Sequence, residues 1–413
     1  MLKNYFKIAI AVLKRRKFFT FISLFGISIT LTILIVLTAF FDHIFSAGYP
    51  DYKRERSLYV TVLQQKSSKE LGASTGPPSF HFLNTYVKTL KTPEKVAISS
   101  TFSGTNTYVN NKKLVLDIKY ANAEYWEVLE YKFLEGKPFT DQEIQRGEFV
   151  AVITEDTKKE YFGTTDDVVG KYIETDNVKY RVIGVVKDVP ITQFTLYADL
   201  IVPYTLPKSD YKSKELNGNY MGIILAKSKD DFDAIESELQ QAVKKIPPPN
   251  KEFDLIYSHA DSMLDGYTRI LFGTMDNSGS NIFIIVTTVL VLFFMLLPTL
   301  NLVNINISRI LERSSEIGVR KAFGASSGKL VIQFIVENII LTFLGGLIAV
   351  LLSALIIYII NTSGAIPYIH LSINLTVLMV SIALCLMFGF VSGVYPAWRM
   401  SRLQVVNALK AAI

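Results

Sequence analysis

Cysteine is nearly absent. The only thiol among 413 residues is Cys385, and the four histidines (His43, His81, His259, His370) are scattered without ligand spacing. No disulfide framework and no metal site of Cys or His type is written in such a sequence. Acidic residues are almost missing outside 42–281, where only three Asp/Glu occur against 14 Lys/Arg. Loop 361–374 has neither Lys nor Arg. A complete phosphate-cradling loop is missing too. In "GASSGKL" (324–330) three residues separate Gly324 from Gly328, and Leu330 follows Lys329. The cradle needs four residues there and a hydroxyl residue after the lysine. Gly324 is better read as the left-handed cap ending one helix, with Ser326 or Ser327 capping the next. The acidic stretch "GTTDDVVGKYIETD" (163–176) fails the spacing of a calcium loop. No catalytic residue, cofactor site or metal site is expected.

What is present in quantity is apolar sequence. Half the residues are hydrophobic, and mean hydropathy is +0.30. The excess is concentrated in four runs, each near or beyond the roughly 20 residues needed to cross a bilayer. They predict spans over 18–45, 282–308, 329–360 and 375–396. A cleavable signal is the rival for the first run, but its apolar region would be about 7–15 residues long with a small-residue cleavage site behind it. Charge orients the spans. Block 42–281 holds 29 Lys/Arg against 34 Asp/Glu, whereas the basic excess lies in short flanks: "KRRK" (14–17), the 309–329 loop, and Arg399, Arg402 and Lys410. Basic flanks stay cytoplasmic. The expectation is an amphipathic cytoplasmic segment 1–17, an external domain 46–281, a cytoplasmic loop 309–328, a short external loop 361–374 and a cytoplasmic tail 397–413. The basic balance is therefore a topology signal, with no nucleic-acid partner implied.

The external block reads as α+β. Strand "SLYVTVLQQ" (57–65), helix "SFHFLNTYVKTLK" (79–91) and strand "KVAISSTF" (95–102) open it; "NYMGIILAK" (219–227), a helix over 229–246 and "EFDLIYS" (252–258) close it. This is a split βαβ pattern. Residues 103–205 between the halves form a β-rich insertion, with a hairpin turning at Asn110–Asn111 and strands "FVAVIT", "VKYRVIGVVKDV" and "ADLIVPY". The fold class is thus four membrane helices carrying a large extracytoplasmic α+β domain.

Inside the apolar runs the one acid is Glu337, beside Asn338 and about 10 Å along the third run. It reads as an interfacial, partly solvated carboxylate or as a partner for a basic residue of the neighbouring loop. Without a polar lane, the spans make a poor path for a hydrophilic solute. Small residues recur at i, i+4, i+8: Gly345, Ala349 and Ser353 in the third run, and Cys385, Gly389 and Gly393 in the fourth. Such stripes admit close helix approach, either within the chain or across a homodimer seam. Pro298 predicts a kink in the second run.

"ERSSEIGVRKAFGAS", "VIQFIVENIILTFLGGLIAVLLS", "GVYPAWRMSRLQVVNALK" and "YWEVLEYKFLEGKPFT…VAVITEDTKKEYFG…VVGKYIETDNVKYRVIGVVKDV" resemble segments of the MacB/FtsX family of ABC-transporter permeases, the mechanotransmission type. The tail departs locally: "LQVVNALK" lacks the proline that the family commonly has before its closing "ALR/K". The resemblance implies a permease in a bacterial inner membrane, both termini cytoplasmic, working as a dimer with a second identical or related permease. It implies a separate cytoplasmic ABC ATPase, and a periplasmic adaptor and outer-membrane channel as further partners. It also makes 309–328 a coupling helix docking on that ATPase. Glu312–Glu316 and Glu316–Arg320 lie at i,i+4; Arg313 and Gly318 fall inside the motif; Ile317 and Val319 supply apolar contacts. Arg320 and Lys321 complement the helix dipole, and Gly324 closes the helix. The implied task is export or extracytoplasmic handling of a peptide, drug, lipid or lipoprotein. The alternative is a cell-division-type permease regulating a cell-wall hydrolase.

Overall fold

The computed structural model describes residues 10–11, 14–15, 17–69, 72–109, 112–163, 166–206, 208–248, 252–274, 277–312, 327–376, 378–383, 386–387, 390 and 394. The chain divides into two units. One comprises 1–43, 284–365 and 370–413; the other comprises 44–283 with 366–369.

The first unit is helical. Its elements are α1 (Lys17–Phe45), α8 (Ser280–Glu312) and α9 (Ser327–Ser363), the first and second of which also reach into the other unit. Among the described residues, Lys17–Phe45 and Val331–Ser363 are long and apolar enough to cross a membrane; in α8 the apolar stretch Ser280–Leu296 is shorter than that. α8 runs without interruption through Pro298. Ile27, Leu31 and Leu34 of α1 pack with Met295 of α8 and with Leu341 and Ala349 of α9 as one apolar cluster.

The second unit is built on one ten-stranded sheet. In chain order its elements are β1 (Ser57–Val60), β2 (Leu63–Lys66), β3 (Ala73–Gly76), α2 (Phe80–Phe82), β4 (Lys95–Ser100), β5 (Ser103–Val109), β6 (Lys112–Ala121), α3 (Glu124–Val128), β7 (Phe133–Gly136) and α4 (Asp141–Gln145). Then come β8 (Val150–Thr154), α5 (Glu155–Phe162), β9 (Tyr172–Thr175), β10 (Val178–Val186), β11 (Leu200–Pro203), β12 (Tyr220–Leu225), α6 (Phe232–Val243), β13 (Leu255–Ser258) and α7 (Met263–Phe272). The strand order is β1-β12-β4-β6-β11-β8-β10-β7, with β5 on β6 and β9 on β10. Only β6/β11 and β8/β10 are parallel among the pairs.

Both faces of the sheet are covered, so the central strands are apolar throughout. Alternate residues serve two cores. Leu58, Val60, Val96, Ile98, Ile118 and Ile224 face one side with Phe82, Leu83 and Leu239. Tyr59, Ala97, Ala121, Ile201 and Ile223 face the other with Tyr125, Leu129 and Phe139. The helix expected over 79–91 is shorter. Ser79 caps α2 by accepting from Phe82 N–H (3.0 Å), and the chain then makes a wide π turn over Leu83–Val87. At the hinge of β7, Gly136 has φ +63° and a Cβ there would lie 2.0 Å from the Ile183 carbonyl oxygen, so only glycine fits.

The outer strands keep the split βαβ arrangement, because β12 lies between β1 and β4 and is antiparallel to both. Two expectations are corrected. The strand read over 57–65 breaks at 61–62 into β1 and β2. The last strand, β13, does not join the main sheet; it pairs with β2, which pairs with β3 in a separate three-stranded sheet. The break at 61–62 separates the two sheets; beyond it the antiparallel alignment resumes, with Ser258 facing Leu63 and Asp261 facing Tyr59. Tyr59 exchanges both backbone hydrogen bonds with Asp261 (2.7 and 3.0 Å), and the chain then turns into α7 under a Ser262 cap. Strands β5 to β11, within 103–205, belong to the same ten-stranded sheet as β1, β4 and β12.

Candidate functional site

Most of the coupling motif lies outside the described residues: Arg313, Glu316, Ile317, Gly318, Val319, Arg320, Lys321 and Gly324. Glu312 is the last residue of α8. Gly389 and Gly393 also lie outside the described residues. The other stripe is in view. A Cβ on Gly345 would come within 2.7 Å of Ile27 Cγ2, so α1 packs directly on the glycine. Ala349 and Ser353 are fully buried, and Thr32 Oγ1 of α1 donates to the Ala349 carbonyl (3.3 Å). Gly345 and Ala349 thus face α1 of the same chain, while Ser353 Oγ donates to the Ala349 carbonyl of its own helix (2.8 Å). Glu337 is buried at 6% exposure instead of partly solvated, and Gln333 Nε2 donates to its Oε1 (3.0 Å). One turn of helix separates the two residues, so the amide reaches the carboxylate along the same face.

The densest polar chemistry in the second unit sits where the chain enters and leaves it. At the entry, α1 ends at Phe45, and its last carbonyls lack intrahelical donors. Arg54 supplies them. Its Nη1 donates to the carbonyls of Ile44 (2.6 Å) and Ser46 (2.8 Å), while its Nε donates to Asp51 Oδ2 (3.0 Å). Asp51 and Arg54 are buried, with side chains 0% and 4% exposed. The Tyr59 hydroxyl, on β1, donates to the same Asp51 oxygen. Burial, then the Asp51 charge, hold this phenol well above its ordinary pKa, so it remains a donor.

At the exit, Asp261 is held by Arg269 of α7 through Nε and Nη2, both at 2.7 Å, in a bidentate pair. Burial works against the Arg269 charge; Asp261 more than offsets it and raises the pKa. Arg269 Nη1 also donates to the Thr274 carbonyl beyond the helix (3.0 Å). Asp265 accepts from Ser262 Oγ (2.6 Å) and from Ser278 Oγ (2.8 Å), two residues before α8 begins. Burial pushes this carboxyl up, but the serine hydroxyls outweigh it and leave its pKa lowered. The Tyr59–Asp261 backbone pair joins exit to entry. Hydrogen bonds thus run from the end of α1 through Arg54, Asp51, Tyr59 and Asp261 to Arg269, and one turn away on the same helix Asp265 carries the contact to Ser278, just before α8.

Sequence reading missed this path. Its traces are "DYKRER" (51–56) just behind the first apolar run, and Asp261 and Arg269 eight residues apart. Nothing in either pattern says that the two meet. A second buried ion was missed as well. Lys119 of β6 is 0% exposed and donates to the Thr195 carbonyl (2.6 Å). Burial alone lowers its pKa to about 7. Among the described residues no three His, Cys, Asp or Glu are grouped to hold a metal.

The chain thus combines long apolar helices with a separate α+β unit whose entry and exit carry largely buried ion pairs. Residues 20–242 match the MacB-like periplasmic core domain and residues 288–405 match the FtsX-like permease C-terminal domain. The chain belongs to the MacB/FtsX family of ABC-transporter permeases. It is 24% identical over 300 residues to the macrolide export ATP-binding/permease protein MacB of Escherichia coli (strain K12), covering 73% of this chain and 44% of that protein. The chain therefore spans less than half the length of the relatives it matches. Among solved structures it is similar to the periplasmic region of MacB from Actinobacillus actinomycetemcomitans (18% identity, TM-score 0.36, 53% of this chain and 94% of that one). It is also similar to the extracellular domain of the noncanonic ABC-type transporter YknZ from Gram-positive bacteria (15%, 0.37, 48% and 98%).

Proposed function

We propose that the chain is a four-span permease subunit, with both termini cytoplasmic, that turns the cycle of an ABC ATPase into movement of its extracytoplasmic domain. The ATPase docks on the 309–328 loop, and a second copy or a related permease completes a dimer. Motion enters through α8 and α9 and reaches the domain at the Ser278–Asp265 and Arg269–Asp261 contacts. The Tyr59–Asp51–Arg54 cluster returns it to α1. Substrate, an amphiphile such as a peptide, drug or lipid, is handled outside the membrane; macrolide export is the activity named for the relatives. A periplasmic adaptor and outer channel complete the assembly. The observation that carries the reading is the buried path itself. Pairs of this kind hold a fixed geometry, and a flexible tether between helix and domain would dissipate a displacement.

The test is at the loop. Ile317→Asp places a charge where an apolar contact is needed. Arg320→Ala removes a charge-assisted hydrogen bond worth about 1.5–3 kcal/mol. Both variants are expected to lose co-purification with a co-expressed ABC ATPase partner, while the protein keeps its thermal unfolding midpoint. Normal ATPase binding and transport by Ile317→Asp would make the loop a solvated connection only.

A further inference from the structure

Beside the path just described lies a cavity of about 160 Å³ that the proposed cycle does not use. Its walls come from α7 (Met263, Gly266, Tyr267), from β12 (Met221), from Tyr59 and from Phe194. No charged side chain lines it; its polar groups are hydroxyls and backbone. An apolar space near 150 Å³ holds one benzene ring and stays dry without one.

Two features show that the space is kept. Gly266 sits inside the helix α7, in ordinary helical geometry, where glycine is among the weakest formers. A Cβ there would meet Asp261 Cβ and Thr61 Oγ1 at 3.8 Å, an ordinary contact, so neither close packing nor backbone strain requires glycine. What its lack of a side chain does is leave the cavity open. Another part of the lining is held in place, because the buried Lys119 amine donates to the carbonyl of Thr195, itself a lining residue. Ile270, 62% exposed, and Phe194, 43% exposed, add apolar surface to the lining.

We propose that this cavity is a binding site for a neutral single-ring aromatic group, the apolar end of an amphiphile whose polar part stays in solvent. The absence of lining charge selects against ions, which would be desolvated without a partner. The volume selects one ring over two. The reading does not depend on the ATPase or on the dimer.

Two methionines in the wall serve as reporters. The full-length chain, labelled at methionine methyl groups and held in lipid nanodiscs, is titrated with benzyl alcohol and followed by NMR. The Met221 and Met263 methyls are expected to shift saturably and to show Overhauser contacts to the ring protons. Met379 and Met387, in the fourth apolar run, should move only in proportion to the alcohol added. Gly266→Leu is expected to raise the half-saturating concentration by about tenfold or more, while Gly266→Ala retains binding. The Overhauser contacts are read on the unaltered protein, so a misfolded variant does not remove the test. Shifts that are linear at all methionines, or unchanged in a folded Gly266→Leu protein, overturn the site. So does broadening of Met221 and Met263 by a phospholipid spin-labelled at its acyl end, without ring contacts, which would make the occupant membrane lipid.

Discussion

Removing the guanidinium of Arg54 tests the entry joint. In Arg54→Leu the carbonyls of Ile44 and Ser46 lose their donor, and Asp51 is left 0% exposed beside the Tyr59 hydroxyl alone. Asp51 Oδ1 already has no hydrogen-bond partner. Breaking a buried pair by deleting one partner costs about 3–5 kcal/mol, since the remaining charge is uncompensated. For a domain of this size each kcal/mol moves the midpoint by about 2–4 °C, so a fall of about 6–20 °C is expected. The assay is thermal unfolding of the full-length protein in nanodiscs by tryptophan fluorescence. Trp126 reports on the domain, where it packs against Tyr131 and Phe139. Adding Asp51→Asn to Arg54→Leu removes the stranded charge and should recover much of the loss. A midpoint lowered by less than about 2 °C, or a double variant worse than the single, would refute the claim that this pair is a buried, unhydrated joint.

Other outcomes follow from the same structure. Gly345→Val should disrupt packing of α1 on α9, because a Cβ already lies 2.7 Å from Ile27; Ile27→Ala in the same chain should partly restore the midpoint, and no restoration would argue against that contact. Lys119 has a folded pKa of about 7, below its unfolded value of about 10.4. The unfolded chain therefore binds the extra proton between these values, and stability rises with pH across that window. Lys119→Met should stabilise the protein by a few kcal/mol at pH 6, by less at pH 9, and by little near pH 10.5; an equal gain at pH 6 and pH 9 contradicts a buried, titrating amine. Topology is checked by single cysteines at Lys229 and Ser327 in a Cys385→Ser background. An impermeant reagent on intact cells should label the first and spare the second, and equal labelling would sink the four-span arrangement.

Several features were legible because they are local or statistical. Apolar runs show the long apolar helices through length alone. Strands such as Val150–Thr154 announce themselves by β-branched composition, and the motif around 312–324 carries family membership in contiguous residues. Charge asymmetry between 42–281 and its flanks needs only counting. The buried contacts at the entry and exit of the domain were of another kind. Tyr59 and Asp261 are 202 positions apart, and they meet because the chain from β13 to Asp261 runs antiparallel beside β2 and then β1. Hydrophobic alternation predicted both strands without saying which edge each would take. Glu337 was likewise visible as an acid in an apolar run, with Gln333 one helical turn before it, while its burial depends on how the helices pack. Gly266 and Lys119 gave no signal at all: a glycine in a helix and a lysine in a strand are ordinary in sequence. Periodicity sets which face a side chain takes, but only the closed fold decides what stands opposite it, and the cavity, the buried amine and the joint all depend on what stands opposite.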